Sequence, residues 1–259
     1  MTSWTYDGIN LSTFGAITVI NDYLDVARKR GGNQEIPYKH GSIHIDKFYE
    51  ERSLSFGIAI KVSGADDLEE LMDDMKALFS SRDQKVLSNT RADLSVRTIL
   101  ASVEETFQVH RESYNFLKVV VIFKCASPFF RGSSLIPDNT TVIDASPKLM
   151  DVTNTGTVEE CDPTIILTGP LDNVVITNTT NGSIFRYTVA IASPRVVTIQ
   201  TVDGEYVATD DLSANVIGNV EYAGGESLLR LESGLNELSI TSDTPTTGTI
   251  KISFYPPYL

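Results

Sequence analysis

Two cysteines, three histidines and one tryptophan in 259 residues leave little material for the commonest active-site chemistries. Cys125 and Cys161 form no Cys-x-x-Cys pair, and two thiols do not make a disulfide framework. His40, His44 and His110 all lie in the first half, so a Cys161 nucleophile has no nearby histidine in sequence. His40 and His44 sit in "KHGSIHID", four residues apart. That spacing shares a face on a helix, or on a strand at about twice the separation. Gly41 and the alternating Ile43 and Ile45 favour the strand, hence ordinary surface histidines over a metal site. The chain has no Gly-x-Ser-x-Gly elbow, no phosphate loop of the Walker type, no Gly-x-Gly-x-x-Gly fingerprint and no His-Glu-x-x-His. No stretch approaches the roughly 20 apolar residues of a membrane-spanning helix. The opening "MTSWTYDGINLSTFGAITVI" has neither a basic start nor an unbroken apolar core, so the expectation is no secretory signal and a cytosolic folding environment. On that expectation the sequons at Asn139, Asn178 and Asn181 carry no glycan.

What is present is an ordinary globular composition with an uneven charge. Hydrophobic residues make up 41% and charged residues 21%, which predicts packed cores rather than disorder. The formal net charge is −13. Residues 1–132 hold 16 Lys and Arg against 18 Asp and Glu, a net of −2, whereas residues 133–259 hold 5 against 16, a net of −11. Two domains of different character follow. The second half lacks the cations that phosphate neutralisation needs, so no stable nucleic-acid binding is expected. The acid excess itself reads as a solubilising surface.

The first half reads as mixed α and β. In "RSLSFGIAIKV", Leu54, Phe56, Ile58, Ile60 and Val62 alternate on one face of a strand. In "SGADDLEELMDDMKALFSS", Leu68, Leu71, Met72, Met75, Leu78 and Phe79 fall at helical spacing, and acids crowd the start, where the helix dipole favours them. Its apolar stripe is expected to pack on the neighbouring sheet. "LSVRTILASVEETFQVHRESYNFLKVVVIFKCASPFF" predicts two or three further strands. The stretch "RGSSLIPDNTTVIDASP" (residues 131–147) is rich in Gly, Ser, Pro, Asn and Thr, so residues 133–147 read as a connector between a domain of residues 1–132 and one of residues 148–259. The second half has no helical signal. Short apolar runs recur between Asn181-Gly182, Asp203-Gly204 and similar turns at about ten-residue spacing, which predicts a β-sandwich of jelly-roll outline. The fold class is therefore mostly β, with an α+β first domain and one short helix. The last stretch, "SLLRLESGLNELSITSDTPTTGTIKISFYPPYL", reads as a closing hairpin with a turn at Gly234–Asn236.

Glu159, Glu160 and Asp162 in "TVEECDPTI" are the carboxylates most like a glycosidase pair. Such a pair faces across a cleft from different strands, and a local acidic loop beside a proline fits a turn better. A sugar-binding sandwich is the fairer rival, because such modules stack aromatic rings on pyranose faces. Phe185 and Tyr187 share a strand face and, with Phe254, are expected in the core. Tyr206 and Tyr222 lie near loops and are the candidate carbohydrate contacts. No cofactor or metal is expected.

The order of the phrases is informative. "YDGINLSTFG" is followed by "RSLSFGIAI", by the acidic helix "LEELMDDMKALF" and by the closing "FKCASPFFRG". In the second half, "GTVEECDPTIILTGPLDNVVITNTTNG" precedes "LLRLESGLNELSI" and "GTIKISFYPPYL". Over nearly the whole chain this order resembles the distal tail protein (Dit) family of long-tailed phages. The resemblance implies a structural protein of the virion tail tip, made in the host bacterial cytoplasm and not an enzyme. It implies a homohexameric ring of N-terminal domains around a channel for DNA, with galectin-like C-terminal domains at the rim. The implied partners are the major tail tube protein, the tail-tip or tail-associated protein, and receptor-binding proteins. The alternative is a host cell-wall adhesin that binds polysaccharide through the C-terminal sandwich.

Overall fold

The computed structural model describes residues 3–20, 26–35, 40, 42–43, 48–104, 108–136, 139–160, 163–202, 205–222, 229–244 and 247–259. The chain divides into two compact units, Met1–Ser133 with Leu259, and Ser134–Tyr258.

The first unit begins with β1 (Ser3–Tyr6), β2 (Ile9–Asn10), β3 (Ala16–Val19) and β4 (Lys29–Arg30). Short pieces follow: β5 (Gln34–Glu35), β6 (Ser42–Ile43) and β7 (Phe48–Tyr49). Then come β8 (Arg52–Lys61), α1 (Ala65–Phe79), β9 (Lys85–Thr90) and β10 (Val96–Val103). The unit closes with β11 (Gln108–Ser113), β12 (Phe116–Cys125) and β13 (Phe130–Gly132). Its main strands are hydrogen-bonded in the order β2-β1-β9-β10-β12-β8-β3. One edge of β12 pairs with β8 along its full length, from Phe116 opposite Lys61 to Cys125 opposite Arg52. The other edge is shared: β11 takes Phe116–Val120, and the end of β10 takes Phe123 and Lys124.

The expected alternation of β8 holds, with Leu54, Phe56, Ile58 and Ile60 buried. Inward residues of β12 (Leu117, Val119, Val121, Phe123) meet them across the pair. Aromatic rings fill one region: Trp4 lies 4.9 Å from Phe56, Tyr6 lies 4.8 Å from Phe123, and Phe79 of α1 lies 5.9 Å from Phe123. Offset and edge-on ring pairs of this kind add about 1 kcal/mol each beyond the area they bury. Leu68, Met75 and Phe79 bury the inner side of α1, while Leu71, Met72 and Leu78 stay half-buried. Asp66 and Asp67 occupy its first turn, where the exposed N–H groups favour negative charge.

The second unit comprises β14 (Asn139–Val142), β15 (Lys148–Asn154), β16 (Thr164–Thr168), β17 (Val174–Asn178) and β18 (Ile184–Tyr187). β19 (Val196–Val202), β20 (Glu205–Asp210), β21 (Val220–Tyr222), β22 (Gly234–Thr241), β23 (Thr249–Ser253) and the short β24 (Pro257–Tyr258) complete it. Two five-stranded antiparallel sheets form, ordered β14-β23-β16-β19-β20 and β15-β22-β17-β18-β21. Their inner faces share one core that includes Ile165, Ile176, Phe185, Tyr187, Leu238, Ile250 and Phe254.

Three expectations are corrected. The closing stretch is not a hairpin: β22 pairs with β15 and β17, whereas β23 pairs with β14 and β16 in the opposite sheet. Gly234–Asn236 is not a turn but the start of β22, with Gly234 at φ +100°. The connector is shorter than residues 133–147, because Asn139–Val142 is an edge strand of the sandwich and Ile143 lies in its core. Thr and Val there have strand preferences that a polar composition hides. The Asn181-Gly182 turn does join β17 to β18, with Gly182 at φ +77°. Asp203-Gly204 lies outside the described residues, between β19 and β20, which pair up to Val202 opposite Glu205.

Candidate functional site

The groups with the most reactive chemistry are held away from it. Cys125 is fully buried at the end of β12, opposite the buried Arg52. Burial pushes its thiol up to about 12, against a smaller downward pull from Arg52, so it is a protonated packing residue at neutral pH. Glu160 is buried, and its backbone is bridged in both directions to Leu231, at 2.9 and 2.8 Å. Glu159 reaches Arg230 at 3.4 Å. Cys161, Asp162 and His44 lie outside the described residues. His110 stands on the exposed β11 and His40 is exposed. Among the described residues no three of His, Cys, Asp and Glu converge on a point where a metal could bind.

Of the two candidate sugar contacts, Tyr206 is half-buried and packs against the sandwich core. Tyr222 ends β21, its backbone paired with Phe185. They stand on different sheets of the sandwich.

The polar group that sequence reasoning missed is a set of buried asparagines in the sandwich. Asn236 of β22 donates to the carbonyls of Glu232 (2.8 Å) and Gly234 (3.1 Å), and its Oδ1 accepts from Glu232 N–H (2.8 Å) and Asn178 Nδ2 (2.9 Å). Asn178 also donates to the Arg230 carbonyl at 2.7 Å, which Asn181 and Ser183 reach as well. Asn154 donates to the carbonyls of Val158 and Leu231. The segment Arg230–Ser233 is thereby pinned across the sandwich without belonging to a regular strand. Buried amides with every partner satisfied fix one arrangement of the chain. The Gly-x-Asn phrase carried the signal, but read alone it points to a turn.

The first unit offers surfaces rather than a cleft. β11 pairs with β12 on one side only among the described residues, and each of its residues is exposed. An outer edge of this kind can offer its N–H and C=O groups to another strand. Between β11 and α1 runs a groove of about 490 Å³, lined by Leu68, Glu69, Met72, Asp73 and Lys76 of the helix and by Val109, Arg111 and Leu117. Val86 and Leu100, opposite one another on β9 and β10, are also exposed.

Residues 6–125 match the family model described as phage tail protein RIFT-related domain. No curated protein matches the sequence. Among solved structures, the chain is similar to the Dit protein of phage SPP1, described as a paradigm of the hub adsorption apparatus in phages infecting Gram-positive bacteria, with a TM-score of 0.71 and 16% identity over 100% of both chains. A chain of the phage P2 baseplate in its activated conformation is more distant, at a TM-score of 0.48 and 8% identity over 98% of each chain. This chain thus carries the phage tail protein RIFT-related domain over residues 6–125 and has the fold of a phage distal tail (Dit) protein along its whole length.

Proposed function

We propose that this protein is the hub of a phage tail tip, a homohexameric ring that joins the tail tube to the tail-tip and receptor-binding proteins and leaves an axial channel for DNA. The observation that carries the reading is the likeness to a hub protein over 100% of both chains, with a phage tail domain in the half that has the outer strand edge. Ring closure between copies satisfies edge groups that would otherwise invite uncontrolled pairing. A first half with a net of −2 approaches its own copies at little electrostatic cost, whereas the second half, at −11, repels its copies and belongs at the rim. The second unit acts there as a galectin-like attachment platform. The role is mechanical, and the burial of Cys125 and Glu160 agrees with that.

Negative-stain electron microscopy of the purified chain tests the reading. A six-fold ring with an axial opening is expected, and particles without that symmetry at any concentration contradict it. Binding of the full chain to host cell-wall polysaccharide, abolished by Tyr206→Ala, would replace the purely structural reading by the adhesin one.

A further inference from the structure

The turn between β17 and β18 places a chemically reactive dipeptide at the edge of the asparagine network. Of the asparagines in the chain, Asn181 alone is followed by glycine. An asparagine side chain is open to attack at Cγ by the backbone nitrogen of the next residue, and glycine, with no Cβ, hinders that nitrogen least. The Gly182 nitrogen gives its proton to water and bonds to Cγ. The Cγ–Nδ2 bond breaks, ammonia leaves, and a five-membered succinimide closes. Water then opens that ring at either carbonyl, which yields aspartate or isoaspartate at position 181. One water enters and one ammonia leaves, with no oxidant or reductant.

The folded turn restrains both nitrogens of this exchange. The Gly182 N–H donates to the Asn178 carbonyl at 2.7 Å, so the attacking nitrogen is held with its proton. Asn181 Nδ2, the leaving nitrogen, donates to the Arg230 carbonyl at 3.1 Å. Ring closure breaks both bonds. The Ser183 N–H on Asn181 Oδ1, at 3.0 Å, acts the other way by polarising Cγ, but it also fixes the side chain between two anchors. The turn itself is tied down. The Thr179 N–H and hydroxyl donate to the Glu237 carbonyl at 2.8 and 2.9 Å, and the Asn178 N–H donates to the Ser183 carbonyl at 2.9 Å. Each lost hydrogen bond slows a reaction by about fivefold, so losing two outweighs the single polarising contact. Unfolding of the second unit removes all of these restraints together.

The product does not fit the place it leaves. Three donors reach the Arg230 carbonyl: Asn178 at 2.7 Å, Asn181 at 3.1 Å and the Ser183 hydroxyl at 3.3 Å. Aspartate at position 181 replaces one of them with a charged oxygen facing a carbonyl oxygen. Isoaspartate also adds a methylene to the main chain, next to Gly182 at φ +77°. Either product loosens the hold on Arg230–Ser233.

We propose that Asn181-Gly182 is a spontaneous deamidation site, closed by the folded second unit and released whenever that unit opens. Each opening then leaves a covalent mark that makes the next opening easier.

Peptide mapping of the full chain by mass spectrometry tests the site. The wild type is held in one mildly alkaline buffer, with and without guanidinium chloride above the unfolding transition of the second unit. Conversion at position 181 is expected to run about tenfold or more faster in the unfolded chain, and ahead of every other asparagine. Equal rates in the two states would overturn the restraint by the fold. Faster conversion at another asparagine of the unfolded chain would overturn the site. The consequence is read from wild type aged in denaturant and then refolded, whose second unit is expected to unfold at a lower denaturant midpoint than fresh protein. Asn181→Ser has no amide to lose at that position, and the same ageing should leave its midpoint where it was. An unchanged midpoint in the aged wild type, or an equal fall in Asn181→Ser, would overturn the claim that the mark eases opening.

Discussion

The two units solve the problem of a small β domain in opposite ways. The first packs its interior with rings, from Trp4, Tyr6, Phe56, Phe79 and Phe123, and leaves its surface unfinished: a β11 edge with no strand partner among the described residues, an exposed Phe48 and a groove beside α1. The second finishes itself. Its core is closed at one place by asparagines whose amides are spent within the sandwich, and from residue 133 onward the chain holds five Lys and Arg against sixteen acids. The difference favours the proposal that the first unit is the one that meets its own copies. Unpaired edges and exposed rings need a partner, while satisfied polar networks and like charge keep neighbours apart.

Variants that exchange these features give the sharpest contrast. Phe123→Ala should unfold most readily, because Phe123 touches Tyr6, Phe56 and Phe79 at once. A loss of about 4 kcal/mol is expected, read from the urea transition of the first unit with the second unit's transition unmoved. Asn236→Ala should act on the other unit alone, at about 2 to 3 kcal/mol, since it strands the Asn178 amide, the Glu232 N–H and several carbonyls in the interior. If Asn236→Ala cost nothing, the view that amides fasten the sandwich would fail.

The first unit holds an asparagine of the other kind. Asn89 on β9 is buried opposite Trp4, and neither its Nδ2 nor its Oδ1 has a hydrogen-bond partner among the described residues. Asn89→Leu, which keeps the same branched arrangement of side-chain heavy atoms, should therefore raise stability by about 1 kcal/mol. A loss on thermal melting would mean that this amide is satisfied in the folded chain after all.

The smallest effect concerns pH. Backbone N–H groups of Ala214 and Leu212, with Arg195, hold the Asp210 carboxylate below its usual range. A folded-state pKa below the unfolded one contributes stability above the unfolded value, and that contribution disappears as pH falls through the folded value. The second unit should therefore lose a little stability on acidification below the ordinary carboxylate range. Asp210→Asn should flatten that part of the profile; an unchanged acid limb would refute the assignment.

These contrasts also mark what was legible in the residues. Strict alternation from Leu54 to Ile60 and the helical spacing from Leu68 to Phe79 announced β8 and α1, because each period belongs to one backbone geometry. Partnership was not legible. Alternation in β22 and β23 says that each is a strand but not that they lie in opposite sheets, since the seven residues between them easily span the roughly 10 Å between stacked sheets. Asn236 was misjudged for a similar reason: a Gly-x-Asn phrase favours a turn locally, and only tertiary partners reveal a buried amide.

The central claim is that the first unit's unfinished surface is completed by copies of itself. Multi-angle light scattering on the full chain over a range of concentrations tests it most directly. The account predicts a particle of six chain masses. A single chain mass at every concentration would contradict it.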